Sequence, residues 1–134
     1  MPNTTSLPHE ARTNGQLVYV VDDEEIIATT LAQIIRNKGF DARAFTHPRE
    51  ALETARVHAP DVLLTDAIMH EMNGVELAIE VSRMHPACKV LLLSGQAKTS
   101  DLLERARNQG YNFELLAKPV HPQTVLDSLK RLFL

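Results

Sequence analysis

The chain has 134 residues, enough for one domain at about 100–200 residues per core and too few for two. Hydrophobic residues make up 44% and charged residues 23%, which excludes a disordered chain and allows a packed core. Aromatics are 4% and the net charge is −3, so neither base-stacking platforms nor a cationic surface for nucleic acid or anionic membrane is expected.

Residues 1–16 are polar and punctuated by Pro2, Pro8 and Gly15, and read as a flexible tail that buries too little to offset its ordering entropy. From Leu17 onward, short apolar runs alternate with helical patterns, the signature of βαβ units. Leu17-Val18-Tyr19-Val20-Val21 is continuous and β-branched, as expected of a strand buried on both faces. Ile26, Ile27, Leu31, Ile34 and Ile35 recur at helical spacing and Gly39 supplies a stop. Phe40–Phe45 alternates as an outer strand would, and Pro48, Ala51, Leu52 and Ala55 mark a second helix with Pro48 in its first turn. Val62-Leu63-Leu64 is a third strand. Asn73 caps a third helix, with Glu76 placed for a capping box and Leu77, Ala78, Val81 and Met84 as its apolar stripe. Val90–Leu93 and Leu115-Leu116-Ala117 repeat the doubly buried strand character. Leu102, Leu103 and Ala106 mark a helix after Ser100, and Pro122 opens a last one carrying Val125, Leu126, Leu129, Leu132 and Phe133. The pattern is α/β, a (βα)5 doubly wound five-stranded parallel sheet with helices on both faces.

Each strand's carboxyl end carries a polar group: Asp22 and Asp23 after the first, Asp66 after the third, Ser94 after the fourth and Lys118 after the fifth. These ends share the sheet edge where doubly wound folds bind ligands. Asp22-Asp23 alone reads equally well as a strand-end turn leading into an acidic helix start; the five groups together do not. Three carboxylates meeting there would raise one another's pKa unless a cation neutralised them, and oxygen-only ligands favour Mg²⁺ or Mn²⁺ over zinc or copper. Cys88 is the only cysteine, which excludes an intramolecular disulfide and fits a reducing cytoplasm. It reads as an inert core or edge thiol. The amino terminus has no signal-peptide pattern, and no apolar run reaches the ~18 residues of a membrane span.

The stretches Val20-Val21-Asp22-Asp23-Glu24, Asp61-Val62-Leu63-Leu64-Thr65-Asp66 with Met69, Met72, Asn73, Gly74, Glu76 and Leu77, then Leu93-Ser94-Gly95 and Ala117-Lys118-Pro119 resemble the receiver domain of two-component response regulators over residues 17–134. The resemblance implies the flavodoxin-like strand order 2-1-3-4-5. It implies that Asp66 accepts a phosphoryl group from a sensor histidine kinase or phosphotransfer protein, with catalysis limited to the domain's own phosphorylation and dephosphorylation. It also implies Mg²⁺ or Mn²⁺ held by Asp23, Asp66 and the backbone carbonyl of Ile68, with Asp22 acting through water. Lys118 and Ser94 would contact the phosphoryl oxygens. The output would be a downstream protein bound by the fourth helix, fifth strand and fifth helix. Ile68 and Gln96 occupy the positions that tune phosphoryl lifetime in this family.

Two positions depart from the family pattern. His70 stands where receivers usually have proline; a loop histidine can donate to phosphate, but a plain solvated side chain, which needs no partner there, is expected. Leu115 stands three residues before Lys118, where an aromatic ring usually works with Ser94 as the switch; Phe113 or Tyr111 could substitute. The chain ends one helix after Lys118, and Lys130 and Arg131 are too few for a DNA-reading element, so a stand-alone receiver is expected. A receiver cut from a longer DNA-binding regulator is the nearest alternative. A Mg²⁺-dependent phosphatase or phosphotransferase of the haloacid-dehalogenase kind would need a second aspartate where Ile68 stands. A flavin binder would need a phosphate-cradling turn, and Asp22-Asp23-Glu24-Glu25 would repel phosphate.

Overall fold

The computed structural model describes residues 15–95 and 99–133. Along the chain run β1 (Leu17–Val21), α1 (Glu25–Arg36), β2 (Asp41–Phe45), α2 (Pro48–Val57), β3 (Val62–Asp66), α3 (Gly74–Met84), β4 (Lys89–Ser94), α4 (Thr99–Asn108), β5 (Glu114–Ala117) and α5 (Pro122–Leu132). The five strands form one sheet in the order β2-β1-β3-β4-β5, and every pairing is parallel. The strand order and the alternation of elements are those expected. Residues 1–14 of the proposed tail, and Gln96, lie outside the described residues.

Successive strand side chains point to opposite faces, and the core divides accordingly. Val18, Val20, Val62, Leu64, Leu91 and Leu93 pack with Leu31, Ala32 and Ile35 of α1 and Val125, Leu126 and Leu129 of α5. Tyr19, Val21, Leu63 and Leu92 pack on the other face with α2, α3 and Ala106 of α4. The Tyr19 hydroxyl keeps its hydrogen bond by donating to the carbonyl of His58 at 2.6 Å.

The helix boundaries follow their local chemistry. Asn73 accepts from the Glu76 amide while the Glu76 carboxylate accepts from the Asn73 amide, so the capping box forms. Pro48 and Pro122 sit in first turns, and Gly39 takes a φ of 98°, the left-handed conformation that ends the α1 segment.

Two burial expectations are corrected. Ile26 is not on the core stripe of α1: the buried positions are Ala28, Leu31, Ala32 and Ile35, and Ile26 is 79% exposed. β5 is not buried on both faces. It is the sheet edge, with alternate residues exposed and Leu115 42% accessible, because among the described residues no strand pairs beyond β5 and α4 contributes few buried residues.

Candidate functional site

Parallel pairing brings the ends of β1, β3, β4 and β5 to one edge. Asp22 follows β1; its amide donates to the Phe45 carbonyl at 3.0 Å, and its Oδ1 accepts from the Glu24 amide at 2.9 Å. That turn launches α1 and leaves Asp23 beside it, partly exposed. Asp66 ends β3, where the next amide, Ala67, continues the ladder to the Leu93 carbonyl at 2.8 Å. The Ile68 amide lies 3.3 Å from Asp66 Oδ1.

The loop then folds back over the site. Gly74 donates its amide to the Ala67 carbonyl at 2.8 Å, and a Cβ on Gly74 would fall 1.9 Å from the Asp66 carbonyl oxygen. Only glycine lets the start of α3 approach the Asp66 main chain so closely.

The carboxylates of Asp22, Asp23 and Asp66 each offer an oxygen such that all lie within 4.8 Å of one another. Lys118 reaches in from the end of β5, its Nζ 3.0 Å from Asp66 Oδ2 and 3.5 Å from Asp22 Oδ2. The peptide that follows it, Lys118–Pro119, is cis. Burial raises the pKa of Asp22, with the Asp66 charge adding to the rise, while the Glu24 amide and Lys118 oppose it. Burial is therefore the larger cause, rather than the carboxylate repulsion that the sequence suggested. Burial works against the Lys118 ammonium too, but its hydrogen bond to Asp66 and the charges of Asp66 and Asp22 more than offset this and raise its pKa. The donor set of hard carboxylates suits a small divalent cation such as Mg²⁺. A cavity of about 510 Å³ opens over Asp66, lined also by Asp23, Ile68, Met69, His70 and Lys118.

His70 is the exposed loop side chain expected, and it also gains a partner: Nδ1 lies 2.9 Å from Asp23 Oδ2, and its amide donates to the same oxygen at 3.1 Å. A proline there could offer neither contact. Ser94 ends β4 and is paired in register with Ala117; its hydroxyl is hydrogen-bonded to that of Thr99. Leu115 lies two residues before the site edge with its side chain partly in solvent. Tyr111 and Phe113 do not take the switch position. They stack on each other with centroids 5.7 Å apart, before the start of β5 and so roughly 13 Å of strand from its site end.

Three contacts escaped the sequence reading. The Gly74 approach had a signal, a glycine directly after a capping asparagine where helix propensity disfavours it. The His70 grip had only the departure from proline, and the Thr99 contact had none.

A family model described as "Response regulator receiver domain" matches residues 18–130. The chain is 29% identical over 118 residues to the chemotaxis protein CheY of Thermotoga maritima, covering 87% of this chain and 97% of that protein. It is 30% identical over 117 residues to the transcriptional regulatory protein CreB of Escherichia coli, covering 87% of this chain and 50% of CreB. It thus spans nearly all of one relative and half of the other. A receiver domain structure from Clostridium thermocellum superposes with a TM-score of 0.77 at 24% identity, over 87% of this chain and 93% of that one, a likeness in fold. By the family match, the chain is a member of the response regulator receiver domain family.

Proposed function

We propose that Asp66 is the phosphoacceptor of a two-component signalling receiver. The observation that carries this reading is the cluster of Asp22, Asp23 and Asp66 oxygens with the Lys118 ammonium 3.0 Å from Asp66. A carboxylate oxygen of Asp66 attacks the phosphorus of a phosphohistidine on a sensor kinase or phosphotransfer protein. The new O–P bond forms as the P–N bond breaks, and the electron pair leaves with the imidazole. Asp23, Asp66 and the Ile68 carbonyl, with Asp22 through water, would hold Mg²⁺ or Mn²⁺, which supplies charge neutralisation at the phosphoryl oxygens. Lys118 provides a second positive charge to those oxygens, and the Ser94 hydroxyl donates to another.

The domain processes only its own phosphoryl group and acts by binding. A downstream protein docks on the face formed by α4, β5 and α5, a reading supported by the exposed Leu115 and the thin burial of α4. Residues 17–134 form the receiver unit, residues 1–16 a tail, and the protein works in the cytoplasm. Incubation with acetyl phosphate and Mg²⁺ followed by intact mass measurement tests the site: one phosphoryl group adds to the wild type and none to Asp66→Asn, with the circular dichroism unchanged. Full labelling of Asp66→Asn refutes the assignment.

A further inference from the structure

Thr99 opens α4 and is one of two buried residues in that helix, the other being Ala106. Its position is 3% exposed, and its hydroxyl meets the hydroxyl of Ser94. The Ser94 main chain is tied to β5 by the Lys118 amide, which donates to its carbonyl at 2.9 Å. The Ser94 hydroxyl can therefore reorient only by turning about χ1. Each of the two hydroxyls can give one proton and accept two bonds, so the bond between them can run in either direction. That freedom ends when Ser94 donates its proton elsewhere.

We propose that Thr99 is a positioning residue that couples Ser94 to α4, acting as the required donor to Ser94 once Ser94 donates to a phosphoryl group on Asp66. The proposal rests on the phosphoacceptor reading above. In the resting protein, either hydroxyl donates. After phosphorylation, the order is fixed as Thr99 to Ser94 to the phosphoryl oxygen, and bonds in such a chain polarise and strengthen one another. A buried hydroxyl left without a partner is costly, so Thr99 follows Ser94, and the first turn of α4 follows Thr99. Ala106 and the partly buried Leu102 and Leu103 are the apolar anchors of this helix, so a displacement at its first turn has few contacts opposing it.

The test uses the full chain as wild type, Thr99→Val and Thr99→Ser, titrated with beryllofluoride and Mg²⁺ and followed by backbone amide NMR. In the wild type, amides near Asp66 and Lys118 shift, and those of residues 99–108 shift with them. Thr99→Val keeps the branched shape without the hydroxyl; its site amides still shift, while the α4 response falls about threefold, as loss of one neutral hydrogen bond implies. Thr99→Ser restores the response. Should valine not be accommodated, Thr99→Ala reads out the same loss. An α4 response in Thr99→Val equal to wild type, or one that Thr99→Ser fails to restore, overturns the coupling role. Absence of any site response in the wild type overturns the phosphoacceptor reading instead, and the coupling with it.

Discussion

Replacing Gly74 with alanine tests whether the approach of α3 to Asp66 holds the site. The new methyl would lie 1.9 Å from the Asp66 carbonyl oxygen, 2.8 Å from its carbon and 3.0 Å from Ala67 Cα. Those are main-chain atoms, so no side chain can swing away. Reaching an ordinary contact of 3.4 Å means opening the gap by about 1.5 Å, the difference between 3.4 and 1.9. The Gly74 amide bond to the Ala67 carbonyl, 2.8 Å long, lies in the path of that movement. Its loss costs about 1 kcal/mol, and forced overpacking costs about 1–3 kcal/mol. The stiffer unfolded chain returns about 0.4–1 kcal/mol. A net destabilisation of about 1–3 kcal/mol results, read as a fall of roughly 4–12 °C in Tm for a domain of this size. Asp66 itself must move, and a shift near 1 Å at a reacting group can cost about 100-fold in rate. Thermal denaturation and the initial rate of labelling by acetyl phosphate measure the two effects together. A Gly74→Ala protein with wild-type Tm and wild-type labelling would refute the reasoning outright.

Two further outcomes follow from burial and shape around the sheet. Burial pushes the Cys88 thiol from 9.0 up to about 12, which lowers its thiolate fraction at pH 8 by about a thousandfold; higher intrinsic nucleophilicity offsets part of this. Reaction with a thiol reagent at pH 8 is therefore expected to be about 10–100-fold slower in the native protein than in urea, and equal rates would refute the half-buried setting of Cys88. Ile68 lines the cavity over Asp66 and offers a water no hydrogen bond, so Ile68→Asn is expected to speed phosphate release roughly threefold to tenfold, the worth of about one hydrogen bond; an equal or slower rate in the variant counts against a tuning role.

The fold was legible because its signals are local. β1, β3 and β4 are apolar runs buried on both faces, and a strand end is a position that can be read from where such a run stops. Asp22, Asp66, Ser94 and Lys118 therefore announced themselves as residues sharing an edge. Burial on the far side of the sheet was less legible: Leu115-Leu116 looks like the core of any strand, and only the absence of a further neighbour makes β5 an edge. Ile26 failed for a related reason. Its spacing to Leu31 and Ile35 fits a loose helical stripe, yet the face that meets the sheet is set by Ala28, Leu31, Ala32 and Ile35, and two of those are alanines that hydrophobic periodicity weighs lightly. The His70 and Thr99 contacts were beyond reach in principle, since neither pair of partners is related by a helical or strand period. Asp23 lies 47 residues from His70, and no spacing rule relates them.

The charge balance at the site ties these contacts to the chemistry. Three carboxylates and one ammonium meet there, a formal sum of −2 when all are ionised. A divalent cation cancels that sum, whereas a monovalent one leaves an excess charge in a partly buried place. Lys118 reduces the sum from −3 by sitting between Asp22 and Asp66, and its raised pKa keeps it charged to do so. On the proposed reading, a phosphoryl group on Asp66 would replace one carboxylate charge with phosphoryl oxygens that need the same ammonium. Lys118, 3.0 Å from the Asp66 carboxylate, would then loosen from it to follow the new oxygens. Because Lys118 also donates its amide to Ser94, a shift in this residue is felt at the end of β4. On the proposed phosphoacceptor reading, a phosphoryl group on Asp66 would act on Ser94 from two directions, through the ammonium's own strand and through the Ser94 hydroxyl. The bonds from the Lys118 amide to Ser94 and between the Ser94 and Thr99 hydroxyls link β5, β4 and α4 without passing through Leu115.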